Sequence, residues 1–390
     1  MINLLAVSGY RSLRDLTLEI GQITVITGPN GAGKSSIYRA LNLLADIAQD
    51  RIVQSLAADG GLHSTLWAGP ETFSRAMING TLPVQGTQSR QAPVSLKLGF
   101  SGDTFGYAID LGLPEKRDMP PGKAMFNRDP HIKTEVVWHG PLYSKSATLA
   151  DRHGPAVRIR DERGVWQTPF QHLAVFDSMM THCIDPLNAP ELLMLRETMR
   201  GWRFYDHLRT DRDAPARRPQ IGTYTPVLSG DGADLAAAIQ TIYDIGFAED
   251  LDETIDDAFP GAALRVAQND GYLELRMTQH GLLRPLKAAE LSDGTLRFLL
   301  LAAALHSPRP PELMILNEPE TSLHPELLPA LARLITAAGR RTQIVIVSHA
   351  AALVDALRAA SSITAIVLQK RLGETLVVDD DGPLWHWPAR

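Results

Sequence analysis

The apolar positions fall into successive patterns, each predicting a different element. Leu16, Leu18 and Ile20 alternate with polar neighbours, as a half-buried strand requires, and Ile23-Thr24-Val25-Ile26 is a continuous β-branched run suited to a buried parallel strand. The run stops at Gly28, and from Ser36 to Ala48 the apolar residues (Ile37, Ala40, Leu41, Leu44, Ile47) take helical spacing. Alternation returns at Val94, Leu96, Leu98 and Phe100, then again at Phe105, Tyr107, Ile109 and Leu111. Ser101-Gly102-Asp103 supplies turn chemistry between them, predicting an antiparallel hairpin. Residues 114–131 read as a loop, with short strands at Thr134–Trp138 and Val157–Ile159 and helical periodicity over Leu192–Arg203 and Asp234–Asp257.

The last third alternates strand and helix. A hairpin turns at Asn269-Asp270-Gly271, a helix covers Leu291–Leu305, and buried strands are expected at Leu313–Leu316 and Ile344–Val347. Between those strands Pro325–Ala337 has the spacing of an amphipathic helix, and helix 351–360 and strand Thr364–Leu368 follow. The ends carry α/β logic and the middle is β-rich. This predicts an α/β core over 1–58 and 260–390, interrupted by an inserted mixed α+β lid subdomain over 59–259.

Composition narrows the classes. The 390 residues are 44% hydrophobic and 21% charged, ordinary for a globular chain. A net charge of −6 argues against a global attraction to nucleic acid and leaves only local basic patches. Cys183 is the single cysteine, so neither an internal disulfide nor a cysteine zinc site is available, and it reads as an inert apolar residue. The longest apolar run, Phe298–Leu305, is far short of the roughly 20 residues that cross a bilayer, and no leader pattern opens the chain. A cytoplasmic protein without membrane insertion is expected.

Four short stretches carry chemistry. Gly28-Pro29-Asn30-Gly31-Ala32-Gly33-Lys34-Ser35 fits G-x-x-x-x-G-K-[ST] between a predicted strand and a predicted helix. The loop from Asn30 to Ser36 is expected to turn backbone N–H groups onto the phosphates of ATP. The helix start adds its positive end, Lys34 reaches the β- and γ-phosphates, and the Ser35 hydroxyl meets Mg²⁺. Leu313-Met-Ile-Leu-Asn317-Glu318 delivers two polar groups at the end of a buried strand. P-loop ATPases carry an Asp for the metal shell and a Glu for the attacking water there. Here Glu318 is present and Asn317 stands in for the Asp, as a metal-shell residue without charge. A charge pair about 4 Å apart is worth about 4 kcal/mol at an effective dielectric of 20, so slow rather than absent hydrolysis is expected. In Leu291-Ser292-Asp293-Gly294-Thr295, Ser292 is an N-cap and also a phosphate reader, with Gly294 allowing close approach. The phosphate it reads is expected to sit on a second copy. Ile344–Ser348 ends at His349, read as a γ-phosphate contact, whereas His324 in the intervening loop reads as a cap or packing residue.

In this order the four stretches resemble the ATP-binding-cassette ATPases of the RecF, SMC and OLD type, and among these the bacterial RecF-like AAA family ATPases. The resemblance covers 1–50 and 260–370 well and the middle poorly. It implies a P-loop NTPase fold of the ABC-type head, and a head-to-tail homodimer sandwiching two Mg-ATP between the P-loop of one copy and Ser292 of the other. It also implies a lid glutamine, for which Gln54, Gln171 and Gln220 are all open. Arg11 is open between a base or ribose contact and a surface role.

Two targets follow. One is DNA, held by an ATP-gated clamp in repair or phage defence. Between Arg196 and Arg218 lie seven arginines against four acids, with Trp202, Phe204 and Tyr205 among them, a pattern that could contact backbone and stack on bases, although a solvated face explains it too. The other is a separate protein effector such as a nuclease, favoured by Asn317, by the acidic balance and by the short remainder after His349. A transporter motor is the third, disfavoured by the long insert.

Overall fold

The protein is described here by a computed structural model covering residues 1–84, 92–114, 128–161, 163–183, 185–378 and 382–390. Most of the predicted loop at 114–131 lies outside the described residues. The chain divides into two compact units. Unit one comprises Met1–Gly21, Thr27–Gly201 and Ile366–Arg390; unit two comprises Gln22–Ile26 and Trp202–Ala365.

Unit one is built on an eight-stranded sheet, β1 (Ile2–Tyr10), β2 (Leu13–Glu19), β4 (Leu96–Gly102), β5 (Phe105–Gly112), β6 (His131–His139), β7 (Thr148–His153), β8 (Ala156–Arg160) and β9 (Trp166–Phe170), in the order 2-1-4-5-6-7-8-9. The predicted hairpin is β4–β5, in the register Phe100↔Tyr107. Its helices are α1 (Lys34–Ile47), α2 (Ile52–Ala58), α3 (Leu62–Thr65), α4 (Arg75–Ile78), α5 (Met179–His182) and α6 (Pro190–Gly201). Most of the hairpin β17 (Thr364–Arg371) and β18 (Glu374–Val377) belongs here too.

The units cut the chain differently from the division expected at 58 and 260. β1 pairs with β4 through Leu5↔Phe100 and Val7↔Leu98, so the first strands join the β-rich middle. The alternating pattern of residues 16–20 fitted a half-buried antiparallel strand, and it is the sheet of the middle region that receives it.

A wholly buried ion pair fastens this sheet to the segment before α5. Arg152 lies 3.1 Å from Glu135 and donates to the carbonyls of Gly154, Ala174 and Asp177. Glu135 also accepts from the Tyr107 and Ser178 hydroxyls and the Met179 N–H. Burial, then the neighbouring carboxylate, hold the Tyr107 phenol well above its ordinary range.

Unit two carries a parallel sheet in the order β10 (Arg203–Tyr205), β15 (Leu313–Asn317), β16 (Gln343–Val347), β3 (Ile23–Thr27). Asn317, Val347 and Ile26 stand side by side in its register. The strands are buried because their residues are almost all Ile, Leu, Val and Met, without polar alternation. Around them pack α7 (Leu235–Ile245), α8 (Ala248–Ala258), α9 (Asp293–Leu305), α10 (Leu328–Ala338) and α11 (Ala351–Ala360). A second, antiparallel sheet holds β11 (Gln220–Ile221), β12 (Ala263–Asn269), β13 (Tyr272–Thr278) and β14 (Leu286–Lys287), all bonded through β13.

Two expected helices differ. The periodic stretch 234–257 is split by Gly246, whose left-handed backbone (φ 98°) caps α7. The helix expected to run to Arg203 stops at Gly201, and Arg203–Tyr205 becomes the edge strand β10 on Met314–Leu316. Tyr205 is buried there, with its hydroxyl donating to the Leu228 carbonyl.

Replacing Arg152 by Met leaves the Glu135 charge buried without its cation. Urea unfolding followed by tryptophan fluorescence is expected to show a loss of about 3–5 kcal/mol; a loss below ~1 kcal/mol would contradict the assigned role of the pair.

Candidate nucleotide site

The P-loop opens where β3 ends, and its backbone departs from ordinary conformations. Gly28, Gly31 and Gly33 have φ of 143°, 78° and 110°, a region glycine enters without steric cost. A Cβ on Gly28 would stand 2.5 Å from the Leu368 carbonyl oxygen, and one on Gly33 would collide with Thr375. Around Gly31 the space is open. Lys34 begins α1 and is buried, with Nζ donating to the Gly28 (2.6 Å) and Pro29 (3.2 Å) carbonyls. Asn30, Gly31 and Ser35 are exposed, Ser36 is half-buried and Ala32 buried. No side chain caps the start of α1. A helix end without a side-chain cap, beside a lysine and an open glycine turn, fits a polyphosphate. The Ser35 hydroxyl at the same end is the group that would hold a metal there.

Thr375, which the sequence reading passed over, braces this loop. Its hydroxyl donates to the Ala32 carbonyl at 2.8 Å and lies 2.8 Å from the Ser12 hydroxyl, while its N–H donates to the Ser12 carbonyl. Glu374 beside it pairs with Arg14 at 3.0 Å. The signal was absent from the sequence because Thr375 lies over three hundred residues from the loop it holds.

In unit two the ends of β15 and β16 form a second polar group. Asn317 is the last residue of β15, and Glu318 takes a left-handed backbone (φ 47°) while its N–H donates to the Val347 carbonyl at 2.8 Å. A non-glycine residue held there signals local strain of the kind that collects at functional sites. His349 follows β16, with Nδ1 3.4 Å from Glu318 Oε1 and 3.5 Å from Glu320 Oε1. The structure therefore brings Glu318 and His349 together. Arg297, buried in α9, donates to the carbonyls of Leu208 (2.8 Å) and Glu318 (3.3 Å). Burial lowers its basicity, and Glu320, Asp206 and Glu318 oppose that effect.

Ser292 is exposed and caps α9, accepting from the Thr295 N–H at 3.1 Å. Gly294 has a reason of its own for lacking a side chain: a Cβ there would stand 2.7 Å from the Ser322 carbonyl oxygen. Arg217 holds this turn from behind. Its guanidinium donates to the carbonyls of Ala288 (3.1 Å) and Leu291 (2.7 Å) and pairs with Asp293 at 2.6 Å.

Arg217 thus acts within the protein. In the basic stretch from Arg196 to Arg218, Arg196 and Arg200 lie against Glu197, Arg209 against Asp211 and Arg218 against Asp213. Trp202 and Tyr205 are 3% and 1% exposed and cannot stack on bases. Among the open positions, Arg11 pairs with Asp59 at 2.9 Å and lies over the Tyr10 ring. Gln54 and Gln171 are exposed, whereas the Gln220 side-chain amide is buried with neither polar atom partnered. His324 caps the turn at Pro325, as expected. Cys183 is buried, with burial as the main cause pushing its thiol up to about 12, which leaves it inert. Asp50, Asp177 and His182 bring ligand atoms within 4.8 Å of one another, but His182 already faces Asp177 as an ion pair at 3.6 Å.

Comparison with known proteins bears on both ends of the chain. Residues 179–355 match the family described as "AAA domain, putative AbiEii toxin, Type IV TA system", and residues 5–45 match an "AAA domain" family. A 44-residue stretch is 48% identical to the OLD nuclease of Thermus scotoductus (strain ATCC 700910 / SA-01), covering 11% of this chain and 8% of that protein's length. Among solved structures, the SMC head bound to the C-winged helix domain of ScpA aligns over 97% of this chain and 96% of its own, with TM-score 0.49 and 15% identity. The SMC head domain from Thermotoga maritima aligns over 97% and 98%, with TM-score 0.44 and 16% identity. The class defined by the glycine loop, its helix and the parallel sheet is the α/β P-loop ATPase fold. Within that class, residues 5–45 and 179–355 match AAA-type ATPase domains and a short stretch is similar to an OLD nuclease, which supports a P-loop ATPase of the RecF/SMC/OLD group.

Thr375→Val keeps the shape beside Gly33 and removes the hydroxyl. Titration with a fluorescent ATP analogue is expected to show binding weakened by roughly fivefold, in line with a lost hydrogen bond to a loop carbonyl worth about 1 kcal/mol. Unchanged affinity would show that Thr375 does not support the loop.

Proposed function

We propose that this protein binds Mg-ATP and hydrolyses it slowly in a head-to-tail homodimer, using the dimer as a nucleotide-operated switch. The observation that carries this reading is the shared register of Asn317, Val347 and Ile26. It sets the Glu318–His349 pair at the end of the parallel strands of unit two, and in the sequence the glycine loop begins two residues after Ile26. Loop residues Asn30 to Ser36 hold the phosphates, and Lys34 exchanges its two carbonyl partners for phosphate oxygens. Ser35 and Asn317 would hold a divalent metal, which would supply positive charge to neutralise the phosphate oxygens. Glu318 orients the attacking water and takes its proton, while His349 contacts the terminal phosphate. Ser292 and Gly294 of one copy face the phosphates held by the other. Asn317 supplies an oxygen without charge, which is the reason for slow turnover.

For the target, the burial of Trp202 and Tyr205 and the pairing of Arg209, Arg217 and Arg218 with Asp211, Asp293 and Asp213 weaken the local support for a DNA clamp in repair or phage defence. They favour the second reading, a switch acting on a separate protein effector.

Mass measurement by size exclusion with light scattering is expected to show a doubling for Glu318→Gln in ATP and Mg²⁺, and none for Lys34→Ala. A single constant mass under all conditions would sink the dimer. Duplex DNA is expected to leave ATP turnover unchanged at low salt; several-fold stimulation would restore the clamp.

A further inference from the structure

We infer that Glu320 is a positioning residue that holds His349 against Glu318, an inference that rests on the nucleotide-site reading above. Glu320 lies on the loop after β15, and its side chain is only 6% exposed. Its Oε1 accepts from the Ser348 hydroxyl (2.6 Å), the His349 N–H (3.1 Å) and the Ala350 N–H (3.2 Å). These are consecutive donors of the turn that leaves β16, so one carboxylate oxygen fixes the backbone on which His349 is mounted. The Ser348 hydroxyl in turn accepts from the Ala350 N–H at 3.1 Å, closing the turn on itself.

A backbone turn alone does not require a carboxylate. A neutral Asn or Ser side chain serves the same N–H groups at lower cost, because burying an ionised group is expensive unless it is bonded throughout. Glu320 is not bonded throughout: its Oε2 is buried without a partner. The charge has a second use in the direction of the imidazole. His349 Nδ1 lies almost equally far from Glu318 Oε1 and Glu320 Oε1, so the ring stands between two carboxylates, one exposed and one buried. The buried one belongs to the rigid turn, and it sets the ring's pose for the exposed one. In metal sites a carboxylate that orients a ligating histidine contributes about 10–100-fold, and the same orienting effect applies to His349.

The test compares steady-state ATP turnover and nucleotide affinity for Glu320→Ala, Glu320→Gln, His349→Ala and the double variant Glu320→Ala/His349→Ala. Turnover of Glu320→Ala is expected to fall by about 10–100-fold with affinity held within about twofold. Glu320→Gln is expected to retain an intermediate rate, since its amide oxygen still accepts from the turn. The double variant is expected to be no slower than His349→Ala. Additive losses in the double variant, or a lowered melting temperature with unchanged turnover, overturn the inference. If Glu320→Ala does not fold, Glu320→Gln carries the comparison against His349→Ala. Absence of ATP binding by the unaltered protein removes the nucleotide site itself, whereas full activity of His349→Ala with intact binding removes only the role given to Glu320.

Discussion

The register of three parallel strands is the constraint on which the chemistry depends. Asn317 stands beside Val347, and Val347 beside Ile26. The pairing continues past the strand ends, where the Glu318 N–H donates to the Val347 carbonyl and the Ser348 N–H to the Ile26 carbonyl. A slip of one residue would turn each side chain to the opposite face, so the buried Ile, Leu and Val of these strands fix the placement of Glu318 and His349. Burial of the strands is therefore what aims the polar residues at their ends.

Two buried guanidinium groups extend that order beyond the sheet. Arg297 ties α9 to the carbonyl of Glu318, and Arg217 ties the turn before α9 to Asp293. Ser292 thus sits at the start of a helix whose body touches the loop carrying Glu318. Glu318, whose backbone is left-handed, carries the local strain of that loop.

Legibility in the sequence followed the locality of each signal. The glycine loop, the apolar strands ending in Asn317 and His349, and the cap at Ser292 were visible because each is contiguous and has its own period or spacing. The place of β2 in the sheet of the middle region was not, since alternation at residues 16–20 says a strand is half-buried without saying which sheet takes it. Arg217 and Thr375 were hidden for the same reason: each acts on a segment more than seventy residues away. In the stretch 196–218 a count of charges does not show that Glu197, Asp211, Asp213 and Asp293 already pair with five of the seven arginines. Gly294 has two sufficient reasons to be glycine, and only the contact with Ser322 is on the molecule itself.

The central claim is that one triphosphate is held by two copies of the chain. Mixing two inactive variants tests it most directly, one with Lys34→Ala in the P-loop and one with Ser292→Arg at the start of α9. Each alone is expected to lack ATP turnover, while the mixture regains up to about a quarter of normal activity, because a mixed dimer restores one of its two sites. A mixture as inactive as its components, or full turnover by the Ser292→Arg variant alone, would contradict the account.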